Sequence, residues 1–459
     1  MPIDDVSALL DDAATRAKRY LRALPDRPVA PTAHALEALD RLDAPLPART
    51  GDPRDTLALL DEVGGPATVA TAGARYFGFV IGGAVPVGVA AGWLAGAWDQ
   101  NTGFVATSPV GARLEAVAIR WLVELLDLPA SVTGSLVTGA TMANFTALAA
   151  ARRSILLREG WDVEADGLFG APPVTVVVSD EVHVTVLKAL ALLGFGRERV
   201  TRVPTDAQGR MRADAFPRLA GPTIVCLQAG NVNSGAFDPA VDVCGAARAA
   251  NAWVHVDGAF GLWARAAPAR AHLGRGLELA DSWAVDAHKW LNSPYDCGVA
   301  LVRDGEALRG AMATTAAYTQ PIAADPRAPR EPCHFTPEFS RRARGVEVWA
   351  VLRHLGRDGV ADLIERTCRL AARAEARLRA AGHAILNDVV LNQVMVSFGT
   401  PDRTRRVIAA VQRDGTCWAG ATVWQGKTAM RISVSGHATT EADIDASIDA
   451  IVRVAAQEP

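Results

Sequence analysis

From about residue 110 onward, short apolar runs alternate with helix-length stretches, and few folds accommodate that pattern. LEAVAIRWLVELLDL (114–128) has helical spacing, SLVTG (135–139) reads as a strand, and MANFTALAAARRSILL (142–157) is helical again. VTVVVSD (174–180), TIVCLQAG (223–230), WVHVDGAF (253–260), SWAVDAHK (282–289) and GVALVRD (298–304) follow as strand-like runs. VTVLKALALLG (184–194) and AVDVCGAARAAN (240–251) lie between them as helices. Strands that are apolar along their whole length must be covered on both faces, which argues a parallel or mixed sheet between helical layers. GVEVWAVLRHLG (345–356) and the helix through IERTCRLAARAEARLRAAG (364–382) begin a second unit. That unit continues with VLNQVMVSFG (390–399), RTRRVIAAVQRDG (403–415) and MRISVSG (430–436), an α+β pattern.

With 459 residues the chain exceeds one ordinary core, and its length suggests about three domains or sub-domains. A net charge of -3 leaves no basic footprint for nucleic acid. The six cysteines, at 226, 244, 297, 333, 368 and 417, show neither CxxC pairing nor zinc spacing, so no metal site is expected and thiols in a reducing compartment are. Residues 3–24 form an amphipathic helix, acidic first and basic last, whose apolar stripe needs a partner such as a second subunit. The N-terminus carries early acids and no apolar core segment, unlike a signal peptide. FVIGGAVPVGVAAGWLAGAW (79–98) is apolar, but Gly82, Gly83, Pro86, Gly88 and Gly92 make it a close-packed core segment rather than a membrane span. The expected protein is soluble and cytoplasmic.

In open α/β sheets, ligands sit beyond the carboxyl ends of the strands. Those ends here read Thr138-Gly-Ala-Thr141, Asp180-Glu-Val-His183, Gly230-Asn231, Asp257-Gly-Ala-Phe260 and His288-Lys289. TGATMAN (138–144) is a strand, a small-residue turn and a helix start, suited to a phosphate and equally to an ordinary cap. WQGKT (424–428) resembles half a P-loop, but Ala421 holds the required glycine position and a strand follows. Asp257 ends an apolar strand, where an unpaired carboxylate is expensive. Its partner is either a neighbouring arginine or a protonated pyridine nitrogen. Lys289, at the end of the next core strand, faces the same cost. A Schiff base with an aldehyde cofactor removes most of it.

RYFGF (75–79), SPVGARLE (108–115), TGATMANFTAL (138–148), SDEVHVTVLKA (179–189), GNVNSGAFDP (230–239), VHVDGAFG (254–261), DAHKW (286–290) and FSRRARGVEVW (339–349) occur in this order. Together they resemble the group II amino-acid decarboxylases, pyridoxal-phosphate enzymes of the type I aspartate aminotransferase fold. The resemblance implies a mostly parallel seven-stranded sheet in a large domain (71–344), a helical arm used in dimerisation (1–70) and a small C-terminal α+β domain (345–459). It implies pyridoxal 5'-phosphate (PLP) as cofactor and a homodimer with shared active sites. Lys289 would carry the cofactor, Asp257 would pair with its ring nitrogen, and Ala259 and His183 would face its two sides. Ala140, Thr141 and His288 would hold the phosphate, Asn231 would stand where the family has a threonine near the ring, and Phe77 and Phe79 would line the substrate pocket.

The resemblance departs at one place. The family carries a proton-donating tyrosine in a loop before its basic segment, whereas the matching place here holds Pro332, Cys333 or His334. Tyr318 lies earlier, and His334 is the candidate substitute acid. The expected reaction is decarboxylation of an L-amino acid, aromatic or apolar side chains slightly favoured, to the amine. Alternatives on the same scaffold are oxidative deamination to an aldehyde, transamination (Arg431 sits roughly where transaminases bind a carboxylate) and Cα–Cβ cleavage. A PLP-binding regulatory dimer is the non-enzymatic alternative.

Overall fold

The computed structural model describes residues 3–314 and 330–459. The chain divides into two compact units. The larger comprises Gly82–Ala372 and Asn387–Val394; the smaller comprises residues up to Ile81, Arg373–Leu386 and Met395–Pro459. Tyr318 lies outside the described residues.

The larger unit is built on seven strands: β1 (Thr133–Val137), β2 (Thr175–Ser179), β3 (Thr201–Val203), β4 (Thr223–Gln228), β5 (Trp253–Asp257), β6 (Ser282–Asp286) and β7 (Gly298–Val302). Their order is β1-β7-β6-β5-β4-β2-β3. Neighbours from β6 to β3 pair in parallel, while β7 runs antiparallel to both β6 and β1. β1 therefore points the same way as β6, and the carboxyl ends of β1, β2, β4, β5 and β6 share one edge. β4, β5, β6 and β7 are buried at every position, as their predominantly apolar runs require.

Helix Ala140–Arg158 packs across one face of this sheet and buries residues on most of its circumference. Its alanines at 147, 149, 150 and 151 join Val176, Val178, Ile224 and Cys226 in one core cluster, and their small side chains let helix and strands approach closely. A buried ion pair ties two of the quoted motifs together. Arg341 Nη1 of SRRAR lies 3.0 Å from Glu115 Oε2 of SPVGARLE. Glu115 Oε1 accepts the Leu136 N–H at 3.1 Å, and Arg341 donates to the Leu136 carbonyl, so the pair clamps β1.

Residues 79–98 are close-packed as expected at Gly82 and Gly88, with Val80 and Val85 buried, but not along their whole length. Only Pro86–Trp98 is helical, with Gly88 and Ala91 buried, while Trp93, Leu94 and Trp98 are 47%, 55% and 42% exposed. Apolar composition marks a need for burial without naming the surface that meets it. Among the described residues no helix is long and apolar enough to cross a membrane.

The smaller unit carries a four-stranded sheet, β8 (Ala384–Ile385), β9 (Gln393–Ser397, entered from the larger unit), β10 (Gly420–Trp424) and β11 (Lys427–Ser433), in the order β10-β11-β9-β8. Trp424 pairs with Lys427 across Gln425 and Gly426, both at positive φ, the signature of a two-residue hairpin. WQGKT is thus a β-turn. Helix Ile3–Ala23 is amphipathic as expected, and its Leu10 and Leu21 are exposed.

Candidate active site

The shared strand edge collects most of the expected residues. β6 ends at Asp286, which is buried with 2% exposure. Its Oδ1 accepts the Ala140 N–H at 2.6 Å, at the start of the Ala140–Arg158 helix, and its Oδ2 lies 2.8 Å from Lys289 Nζ. His288 Nε2 lies 3.6 Å from the same carboxylate, while His288 Nδ1 accepts the Cys297 N–H at 3.1 Å. Burial holds the pKa of His288 below the ordinary histidine value, with Asp286 pulling the other way. The neutral ring then carries its proton on Nε2, toward Asp286. Tyr295 stacks on the His288 ring at 4.2 Å.

Two glycines shape the start of the Ala140–Arg158 helix. A Cβ on Gly298 would fall 2.4 Å from the Gly139 carbonyl carbon, and one on Gly139 would meet His288 Cε1 at 3.3 Å. Backbone therefore passes against backbone where the helix begins. Thr141, in the first helical turn, is half-buried.

β5 delivers Asp257. Its Oδ1 accepts the Ala259 N–H at 3.2 Å, and its Oδ2 lies 3.3 Å from Asn144 Nδ2. His183 follows β2 and caps helix Val184–Leu192, its Nδ1 2.7 Å from Thr185 Oγ1. Asn231, after β4, is buried. Its amide donates to Glu181 at 2.9 Å, and its Oδ1 accepts the N–H groups of Asn233 and Ser234.

His334 is buried in the short turn Pro332–Phe335, which packs against helix Gly305–Met312 and β1. Burial and the Arg309 charge hold its pKa below the usual value, against Glu331. Phe77, Phe79 and Arg431 belong to the smaller unit. Phe77 is fully buried there, and Phe79 is 62% exposed and stacks on Trp418. Arg431 lies on β11, where burial lowers its pKa.

Asp286, Asn144, Thr185 and Tyr295 carried no assignment from the sequence. Asp286 stands in the quoted DAHKW, and strand alternation puts it on the face of Ser282 and Ala284. Asn144 lies one helical turn after Ala140, so both share a helix face. Those spacings were available signals.

The donor set suits a phosphorylated pyridine aldehyde: a lysine amine, a helix N-terminus lined by glycine backbone, and a carboxylate for a ring nitrogen. Fold and site together define a PLP enzyme of the type I fold. The family model "Pyridoxal-dependent decarboxylase conserved domain" matches residues 69–399, and the chain belongs to that family. It is 30% identical to tryptophan decarboxylase 1 of Oryza sativa subsp. japonica over 77% of this chain and 72% of the relative. It is 32% identical to L-2,4-diaminobutyrate decarboxylase of Rhizobium meliloti (strain 1021), over 77% and 71%. A crystal structure of Oryza sativa TDC with PLP and tryptamine superposes with a TM-score of 0.91 at 25% identity, covering 100% of this chain and 99% of that one. The protein is a PLP-dependent decarboxylase.

Proposed function

We propose that the chain decarboxylates an L-amino acid to the amine, with aromatic or apolar side chains favoured, in a homodimer. The observation that carries the chemistry is the convergence of Lys289, Asp257 and the Ala140 helix N-terminus on one sheet edge. The similarity to a tryptophan decarboxylase supports the aromatic preference, while the diaminobutyrate relative shows the breadth of substrates named in this family.

PLP supplies an aldehyde that condenses with amines and a pyridinium ring that accepts the electron pair left at Cα when carbon dioxide departs. Lys289 holds the cofactor through its amine and gives way to the substrate amine. Thr141, in the first turn of the Ala140–Arg158 helix, and His288 would hold the phosphate beside the helix N-terminus, while the Ala140 N–H itself is taken by Asp286 Oδ1. Asp257 keeps the ring nitrogen protonated by placing a carboxylate against it. Ala259 would offer a methyl group and His183 an imidazole to the ring of the bound cofactor, and Asn231 holds the adjoining loop through the Asn233 and Ser234 N–H groups.

His334 is the proposed donor of the proton that replaces carbon dioxide at Cα. Its lowered pKa leaves the protonated form scarce at neutral pH. With His334 as donor, amine should gain on aldehyde as pH falls, and His334→Phe should remove that dependence. An identical pH trend in the variant excludes the histidine.

The test of the function is incubation of holoenzyme with an amino-acid panel, scoring carbon dioxide, amine, aldehyde and peroxide together. Amine equal to carbon dioxide is the expected result. Aldehyde with peroxide would replace it with the oxidative route, and absence of turnover would leave a binding module. Lys289→Ala should lose the visible cofactor band, and a surviving band would overturn the lysine assignment.

A further inference from the structure

A chain of buried hydrogen bonds runs behind Asp257, and its direction is fixed at both ends. Trp253, His255 and Asp257 alternate along β5 and so project from one face of the strand. Ser282 is the register partner of His255 on β6. Trp253 Nε1 lies 2.9 Å from Ser282 Oγ, Ser282 Oγ lies 2.9 Å from His255 Nδ1, and His255 Nε2 lies 2.9 Å from Asn144 Oδ1. Asn144 Nδ2 lies 3.3 Å from Asp257 Oδ2 and 3.4 Å from Thr185 Oγ1. Thr185 Oγ1 in turn lies 2.7 Å from His183 Nδ1. Asn144, His255 and Ser282 have no exposed surface.

The indole N–H at one end can only donate, and the carboxylate at the other can only accept. Every link between them then has one polarity. Trp253 donates to Ser282, and Ser282 donates to His255 Nδ1. His255 Nε2–H donates to Asn144 Oδ1, which turns the Asn144 NH2 toward Asp257 and Thr185. With its oxygen accepting from Asn144, Thr185 directs its own hydroxyl hydrogen to His183 Nδ1, which also accepts the Thr185 N–H at 3.4 Å. The neutral His183 ring is thereby left with its proton on Nε2. The polarity requires a neutral His255, and burial pushes that pKa down to about 3.

We infer that Asn144 is a positioning residue that fixes the Asp257 carboxylate and, through Thr185, the tautomer and tilt of His183. His255, Ser282 and Trp253 set which way its amide faces. One side chain thus couples the group beneath the ring nitrogen to the imidazole on the ring face. The inference rests on the assignment of Asp257 to the ring nitrogen, which Asp257→Ala tests separately.

The experiment measures PLP affinity by fluorescence quenching and the pH midpoint of the bound cofactor's visible absorption in holoprotein. Asn144→Leu keeps volume and removes the donor to a charged acceptor, so PLP affinity should fall about tenfold or more, with a displaced absorption midpoint. His255→Gln retains an N–H facing Asn144 and should stay close to wild type, whereas His255→Leu should move both readouts in the direction of Asn144→Leu. That split between the two His255 variants decides the matter should Asn144→Leu fail to fold. Asn144→Leu or His255→Leu matching wild type in both readouts, while Asp257→Ala shifts them, overturns the role of Asn144. Asp257→Ala leaving both unchanged overturns the underlying assignment instead.

Discussion

His255 is held neutral inside the larger unit, its pKa pushed by burial from 6.5 to about 3. Below pH 6.5 the unfolded chain binds a proton that the folded chain refuses. The stability contributed by the neutral ring is therefore complete above 6.5 and is lost as pH falls toward 3, at up to about 1.4 kcal/mol per pH unit. Asp238 acts in the opposite sense. Burial raises its pKa from 3.8 to about 6, with Glu181 and Asp206 adding to the rise against the Met211 and Gln228 N–H donors. Between those values the folded chain holds the extra proton, so stability falls as pH rises through the window. From pH 3.8 to 6 the two slopes cancel to first order. Asp238→Asn should uncover the His255 slope there, and His255→Gln should uncover the Asp238 slope with reversed sign. Urea unfolding at pH 4, 5, 6 and 7 reads both, and parallel profiles for the two variants would sink the argument.

Helix Gly345–Ala380 was legible both in outline and in its interruption. The sequence divided it near HLG, and the structure breaks it at Gly356, with φ 60 and ψ -171. That conformation is nearly confined to glycine. A Cβ there would meet nothing within 4 Å, so the cost of Gly356→Ala is backbone strain alone. It should be about 1–3 kcal/mol, read as a lower thermal midpoint with normal PLP binding. An unchanged midpoint would show that the kink relaxes freely. The strands were readable because fully buried strands are apolar throughout, and their ends were readable because function interrupts that run with Asp257 and Lys289. Strand order was not, since nothing in GVALVRD says that β7 inserts antiparallel between β1 and β6. Asp286 escaped notice because a carboxylate three residues before a lysine is common, and only the fold brings the Ala140 N–H and the Lys289 amine to its two oxygens. Asn144 escaped because its partners lie far off in sequence, on β5 and on a second helix. The exposed face of residues 86–98 was missed for a related reason: hydropathy does not distinguish an internal neighbour from an external one.

At the scale of the whole molecule, the exposed face of helix Pro86–Trp98 calls for a partner. Trp93, Leu94 and Trp98 lie near half exposure together on thirteen residues, a helix about 20 Å long. Such a patch on a soluble surface marks an interaction site. We propose a second copy of this chain as the partner. In a two-fold interface each side chain is buried twice. Burying the exposed half of Trp93 and Leu94 in both subunits would contribute on the order of 3–6 kcal/mol, taking about half of the 1.5–3 kcal/mol for a whole side chain. Trp93→Glu with Leu94→Glu removes that gain and adds four carboxylates to an apolar contact, a loss larger than most dimers withstand. Sedimentation velocity of the holoprotein should therefore show a dimer for the wild type and a monomer for the double variant at micromolar concentration. A double variant that sediments as the wild-type dimer would place the subunit contact on another surface.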